Sequence, residues 1–158
     1  AFDTRFTKIF LNLYSANEIA QIIQLANKDL DFEVCQLVAH YGGKVPREAL
    51  AFATEMKNER KMSPDDSWVE VAGRIAEESG IDPFGMTYQR VNILRSLVDG
   101  PVSKSNLASQ IGCKEEELIK YTIPPLLAVS KDEPAMIKVT SRGYAITDAG
   151  IIELEKRK

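Results

Sequence analysis

The chain has 158 residues, 44% hydrophobic and 27% charged, enough apolar surface for one ordinary domain or two small ones and too much for a disordered chain. No apolar run reaches the ~18 residues of a membrane helix and no basic stretch leads into an apolar run with a small-residue cleavage site, so a cytoplasmic protein with no membrane partner is expected, and its start at Ala1, without Met, reads as that of a processed product or a fragment. The net charge of −3 averages two unlike halves: residues 1–85 carry 9 Lys+Arg against 14 Asp+Glu, and residues 86–158 carry 11 against 9, so only the second half favours a polyanion.

Residues 6–14, Phe-Thr-Lys-Ile-Phe-Leu-Asn-Leu-Tyr, alternate partially and read as a short extended segment. Ser15-Ala16-Asn17-Glu18 has capping-box spacing, in which the Ser oxygen accepts a backbone N–H three residues on and the Glu reaches back. Ile19, Ile22, Ile23 and Ala26 follow at helical spacing, predicting a first helix to about Asn27. A second helix over about Phe32 to Tyr41 ends at Gly42-Gly43, since glycine takes the left-handed C-terminal position without steric cost. A third opens at Pro46, a favoured first-turn residue, with Ala49, Leu50, Ala53 and Met56 inward. The fourth is predicted with Ser63 as cap, Pro64 in the first turn, and Asp65 and Asp66 facing the positive dipole end. Its stripe is Trp68, Val69, Ala72, Ile75 and Ala76, and Gly80 closes it. These four helices make a small bundle.

Gly80-Ile81-Asp82-Pro83-Phe84-Gly85 is turn-rich and reads as a linker, giving domains 1–84 and 85–158. Helices follow over about Thr87 to Val98, Ser103 to Gln110 and Lys114 to Val129, the last with a kink at Pro124-Pro125. An apolar strand (Met136 to Thr140), a tight Ser141-Arg142-Gly143 turn, a second strand (Tyr144 to Thr147) and a final helix to Lys158 complete the chain. Three helices and then a two-stranded hairpin is the order of a winged helix-turn-helix. The fold class is therefore mainly α.

Nothing in the chain assembles a catalytic constellation. The single histidine, His40, stands at the C-terminal end of the second helix, where a lone His faces the negative dipole end. Cys35 and Cys113 form no CxxC pair, which excludes a disulfide framework and a zinc ribbon and suits a reducing compartment. Gly42-Gly43-Lys44 fails as a phosphate loop: a helix precedes it, the glycine spacing is wrong, and Val45 stands where Ser or Thr would bind magnesium. Pro46-Arg47 carries more. Proline fixes the helix start, so Arg47 projects from the first turn, where backbone N–H groups and a guanidinium can converge on a phosphate; an ordinary solvent-facing arginine is the alternative.

In the hairpin, Arg142 stands at a glycine-enabled tip with Lys138 and Tyr144 nearby. Such a wing can lay its arginine along a phosphate backbone or into a minor groove, or it can be a solvated turn. The helix in the recognition position begins Lys114-Glu115-Glu116-Glu117. Its glutamates favour the helix N-terminus and oppose a phosphate-lined groove, so any DNA binding should rest on the wing.

These residues, in order, resemble the C-terminal two-thirds of the RuvB family, AAA+ ATPases that drive Holliday-junction branch migration. Arg5-Phe6 resembles the pair ending the family's ATPase core. Leu13-Tyr14-Ser15 to Ile23 is similar to its first lid helix, and Val45-Pro46-Arg47 to its Thr-Pro-Arg sensor motif. Gly85-Met86-Thr87 through Gly100-Pro101-Val102, Leu107 to Gly112, Ile123-Pro124-Pro125-Leu126-Leu127 and Thr140-Ser141-Arg142-Gly143 resemble successive motifs of its winged module.

The resemblance implies an AAA+ helical lid over 1–84 and a winged-helix DNA-binding domain over 85–158. It implies nucleotide-facing roles for Arg5, Tyr14 and Arg47, and DNA-facing roles for Arg142, Lys138, Tyr144 and Lys114. The intact parent is implied to bind ATP or ADP with magnesium, to form homo-hexameric rings on duplex or junction DNA, and to work with a RuvA-like junction-binding protein. This chain alone, lacking the phosphate-binding lysine and the metal-binding residues, is expected to hold no nucleotide tightly and to hydrolyse none. Departures are the less basic wing, with Val139 and Tyr144 at usually basic positions, glutamates in the third helix, Lys44-Val45 in place of Gly-Thr, and the extra stretch Ser130 to Pro134. Two rivals stand beside this reading. One is a winged-helix transcription regulator, which would leave the Pro-Arg pattern idle; the other is a non-catalytic adaptor whose winged helix binds protein.

Overall fold

The computed structural model describes residues 14–129 and 133–158; the extended segment expected over 6–14 and the candidate Arg5 fall outside them, Tyr14 excepted. The chain divides into two compact units, residues 14–87 and residues 88–158, where the sequence reading ended the first domain at Phe84. Among the described residues no helix is long and apolar enough to cross a membrane.

The first unit is four helices: α1 (Ala16–Ala26), α2 (Phe32–Tyr41), α3 (Pro46–Met62) and α4 (Trp68–Glu78). The capping box at the head of α1 is formed, with Ser15 Oγ accepting from Glu18 N and Glu18 Oε1 accepting from Ser15 N, both at 3.2 Å. α4 starts four residues later than expected, and Ser63 instead closes α3, its N–H donating to the Glu59 carbonyl. The reason is reach. Three residues after Ser63 stands Asp66, too short to return to the cap. Three after Ser67 stands Glu70, whose carboxylate accepts from Ser67 N at 2.9 Å while Ser67 Oγ accepts from Glu70 N at 3.1 Å. Asp66 turns to Arg74 instead, at 2.7 Å. Ala72, Ile75 and Ala76 face inward as expected and Val71 joins them, whereas Val69, in the first turn, faces solvent.

Ile19, Ile23, Cys35, Val38, Ala49, Ala53 and Met56 are fully buried in this core, together with Phe52, which the stripe read from the sequence had passed over. Each buried Ile, Val or Met side chain contributes about 1.5–3 kcal/mol. Burial pushes the Cys35 thiol up from its ordinary range, and Asp29 and Asp31 add to the shift.

The second unit holds α5 (Tyr88–Ser96), α6 (Lys104–Ile111), α7 (Glu115–Glu117), a π-helical segment (Leu118–Thr122), α8 (Pro124–Leu127), the antiparallel strands β1 (Ile137–Thr140) and β2 (Gly143–Ile146), and α9 (Asp148–Glu155). Ser103 caps α6, and Gly112 closes it at φ +82. The expected third helix is thus interrupted. Pro124 and Pro125 bring no N–H, and the Ile123 N–H reaches back five residues to the Leu118 carbonyl at 2.8 Å. The Arg90 guanidinium of α5 donates to the carbonyls of Tyr121 (3.2 Å) and Thr122 (3.3 Å), covering acceptors at this break.

In the hairpin Ile137 pairs with Ile146, Lys138 with Ala145, Val139 with Tyr144 and Thr140 with Gly143. Val102 adds a third position: it exchanges both backbone bonds with Tyr144, each 2.9 Å. Gly143 sits at φ +121, and a Cβ there would collide with the Val102 carbonyl. Glycine is needed for this approach as well as for the turn. Leu94, Leu97, Leu107, Leu118, Ile123, Leu126 and Ile137 form the core beneath. The architecture is a helical unit followed by a winged helix-turn-helix with a two-stranded wing.

Candidate functional site

The nucleotide-side candidates lie on the first unit. Tyr14 precedes the α1 cap and is about half exposed. Arg47 occupies the first turn of α3, exposed, and among the described residues nothing hydrogen-bonds or ion-pairs its side chain. How it is placed follows from the turn before it. Gly43 and Lys44 both take left-handed backbone, at φ +68 and +66, then Val45 is extended and Pro46 starts the helix. For Lys44 this conformation costs about 1 kcal/mol. It stands where the resemblance carries glycine, so the turn keeps that shape without the residue that favours it. No hydrogen bond or ring contact joins Tyr14 to Arg47.

On the second unit, Arg142 is exposed at the hairpin tip, its backbone N–H held at 3.2 Å by Thr140 Oγ1, which itself donates to the Gly143 carbonyl at 2.8 Å. The Arg142, Lys138 and Lys114 side chains are exposed and have no bonded partner among the described residues. The pleat separates two of the candidates. Lys138 and its partner Ala145 point to one face, whereas Val139 and Tyr144 point to the other. Tyr144 is half-buried, and its phenol is raised above its ordinary pKa first by burial and then by the Glu115 carboxylate. Glu115 also sits 3.8 Å from Lys104. Tyr144 therefore belongs with the head of the third helix, not with Lys138 in one aromatic-basic strip.

Several residues were missed from the sequence. Arg90 is one, and the tandem prolines, which remove two donors from a helix, were the signal that a side chain must serve the freed carbonyls. Another is the outward pair Lys120 and Tyr121, with the ammonium 5.4 Å from the ring centroid. His40 does not simply face solvent: its Nε2 lies 2.8 Å from the Pro83 carbonyl. Among the described residues no group of His, Cys, Asp and Glu could hold a metal ion.

No protein-family model matches the chain, and no curated protein matches it in sequence. Solved structures do. A mutant of Thermotoga maritima RuvB matches 91% of the chain at TM-score 0.71 and 21% identity. Over that length the chain shares the fold of RuvB. Thermotoga maritima RuvB described as a Holliday junction branch migration motor matches the same 91% at TM-score 0.70 and 20% identity. The chain spans about half the length of these RuvB structures, 49% and 50%.

Proposed function

We propose that the chain is the lid and DNA-contact part of a divergent RuvB-like motor that, when intact, uses ATP to move duplex DNA at Holliday junctions. The observation that carries this is the ordered fold match across both units, with Pro46-Arg47 at a helix start in one and a protruding hairpin in the other. In the first unit, Arg47 suits a phosphate. It is an unengaged guanidinium at the positive end of a 17-residue helix. Tyr14 would lie toward the adenosine and Arg5 at a neighbouring subunit's nucleotide. Bound ATP with magnesium supplies the driving reaction in the intact ring, and the lid's part is to register it through Arg47 and to move the winged unit.

In the second unit, Arg142, Lys138 and Lys114 would touch DNA phosphates, with Arg142 at the tip contributing most and Tyr144 contributing through its backbone hold on Val102. Homo-hexamer formation and a RuvA-like partner belong to the same reading. One observation favours the adaptor alternative, a protein-binding winged helix: Glu115, Glu116 and Glu117 head the third helix, and the charge of Glu115 is felt by Tyr144.

The test is binding of the 158-residue chain to a four-way junction and to linear duplex over a salt series. Salt-sensitive binding to DNA of any sequence, with the junction preferred, supports the motor. Sequence-specific binding as a dimer supports the regulator, and no DNA binding at all supports the adaptor.

A further inference from the structure

The turn-rich segment from Gly80 to Gly85 reads as a linker in the sequence, and the structure builds it into the helical unit. Asp82 is buried at 4% exposure. Its Oδ1 accepts from the Phe84 and Met86 N–H groups, both at 3.0 Å. Its backbone N–H donates to the Met86 carbonyl at 2.8 Å, and the Gly85 N–H returns to the Asp82 carbonyl at 2.9 Å. Ile81 bridges to Thr87. This closed loop meets the end of α2 at two points, one a hydrogen bond and the other a close approach. His40 Nε2 meets the Pro83 carbonyl, and because a carbonyl only accepts, the proton sits on Nε2. Gly85, at φ +84, lies so close to the His40 carbonyl that any Cβ would overlap it. His40 in turn packs edge-on against Tyr41, with centroids 4.8 Å apart, and Tyr41 stacks on Phe52 at 5.6 Å. Phe52 is on α3, the helix that begins with Pro46-Arg47.

We propose that residues 81–87 form a latch, pinned by His40, that makes the exit of the chain a rigid extension of the helical unit. Movement of α3 is then delivered through Phe52, Tyr41 and His40 to the last residues before Tyr88 instead of being lost in slack chain. His40 is a positioning residue in this scheme, and its mechanical use rests on the motor reading, whereas the latch itself does not.

The test is amide hydrogen exchange on the full 158-residue chain, read by NMR. Phe84, Gly85 and Met86 are expected to be protected about 100-fold or more over free peptide. His40→Ala is expected to lower that protection about 5- to 10-fold, the value of one hydrogen bond, while the amides of Ile23 and Met56 stay unchanged. His40→Gln, which restores an N–H donor, is expected to regain most of it. Unchanged protection in His40→Ala overturns the latch, as does parallel loss in the core or failure of the glutamine to rescue. Backbone order parameters of the unsubstituted protein give a second reading: values of about 0.85 over 82–86 support rigidity, and values below about 0.6 overturn it. Neither measurement involves ATP or DNA, so a failed latch leaves the motor reading standing, and absent DNA binding leaves the latch standing.

Discussion

Two glycine-to-alanine substitutions in the helical unit should act with opposite sign. Gly42 caps α2 at φ −77, an ordinary backbone conformation that alanine adopts without strain. Its constraint is contact: an added Cβ would lie 2.7 Å from Ala49 Cβ and 2.8 Å from Ala49 Cα, well inside the ~3.5 Å at which carbon atoms rest. Ala49 is fully buried in the first turns of α3, two residues after Arg47, so α2 and α3 must separate. Gly42→Ala should therefore destabilise by about 1–3 kcal/mol, as overpacking does. Gly73 lies inside α4 with nothing within 4 Å of an added Cβ, so Gly73→Ala should stabilise by about 0.8–1 kcal/mol through helix propensity alone.

Trp68 is the only tryptophan and belongs to the helical unit, half-buried with the Arg60 guanidinium 4.7 Å above its ring. Its fluorescence during urea unfolding therefore reports on that unit, and the two variants should move the midpoint in opposite directions by about 1 M. A neutral or stabilising Gly42→Ala would refute the close crossing that sets the position of Arg47.

Arg142→Ala should weaken DNA binding for all sequences and lower the salt slope by about one unit; an unchanged slope in a filter-binding salt series removes the wing tip from the interface. Arg47→Ala in the intact motor should reduce ATP turnover while leaving urea unfolding of the helical unit within about 0.5 kcal/mol, and wild-type turnover makes it a plain surface arginine. Because the Tyr144 phenol is raised in the folded state, the second unit should be undiminished in stability below about pH 10 and lose stability as the pH climbs past that value. Thermal unfolding between pH 8 and 11.5 checks this, and Tyr144→Phe should flatten the dependence.

Local signals carried most of the helical unit. A serine with glutamate three residues on, a proline opening a periodic run, and a glycine pair closing another each have one physical reading, and α1, α2 and the start of α3 follow them. Ser63 misled because it satisfies the cap preference without the partner that completes a box, and Val69, placed inward by spacing, is exposed in the first turn of α4. What the sequence could not show is tertiary. Asp82 looks like a turn residue until its carboxylate is seen gathering two amides, and Lys44 carries no mark of its left-handed backbone. At the candidate site, the exposure of Arg47 and Arg142 was legible from their neighbours in sequence. The separation of Lys138 from Tyr144 was not, because pairing register across the hairpin decides which face each takes.

The π-helical segment has a consequence for how this chain tolerates change in length. Leu118 and Ile123 are both almost wholly buried, although residues five apart in an unbroken α-helix point about 140° away from each other. The wide turn absorbs one surplus residue and resets the angular phase of everything after it by about 100°. Shortening this stretch by a single residue would replace the wide turn by an ordinary one ahead of Pro124 without moving the hydrophobic seam on either side, whereas the same deletion in α5 or α6 would swing the following side chains out of the core.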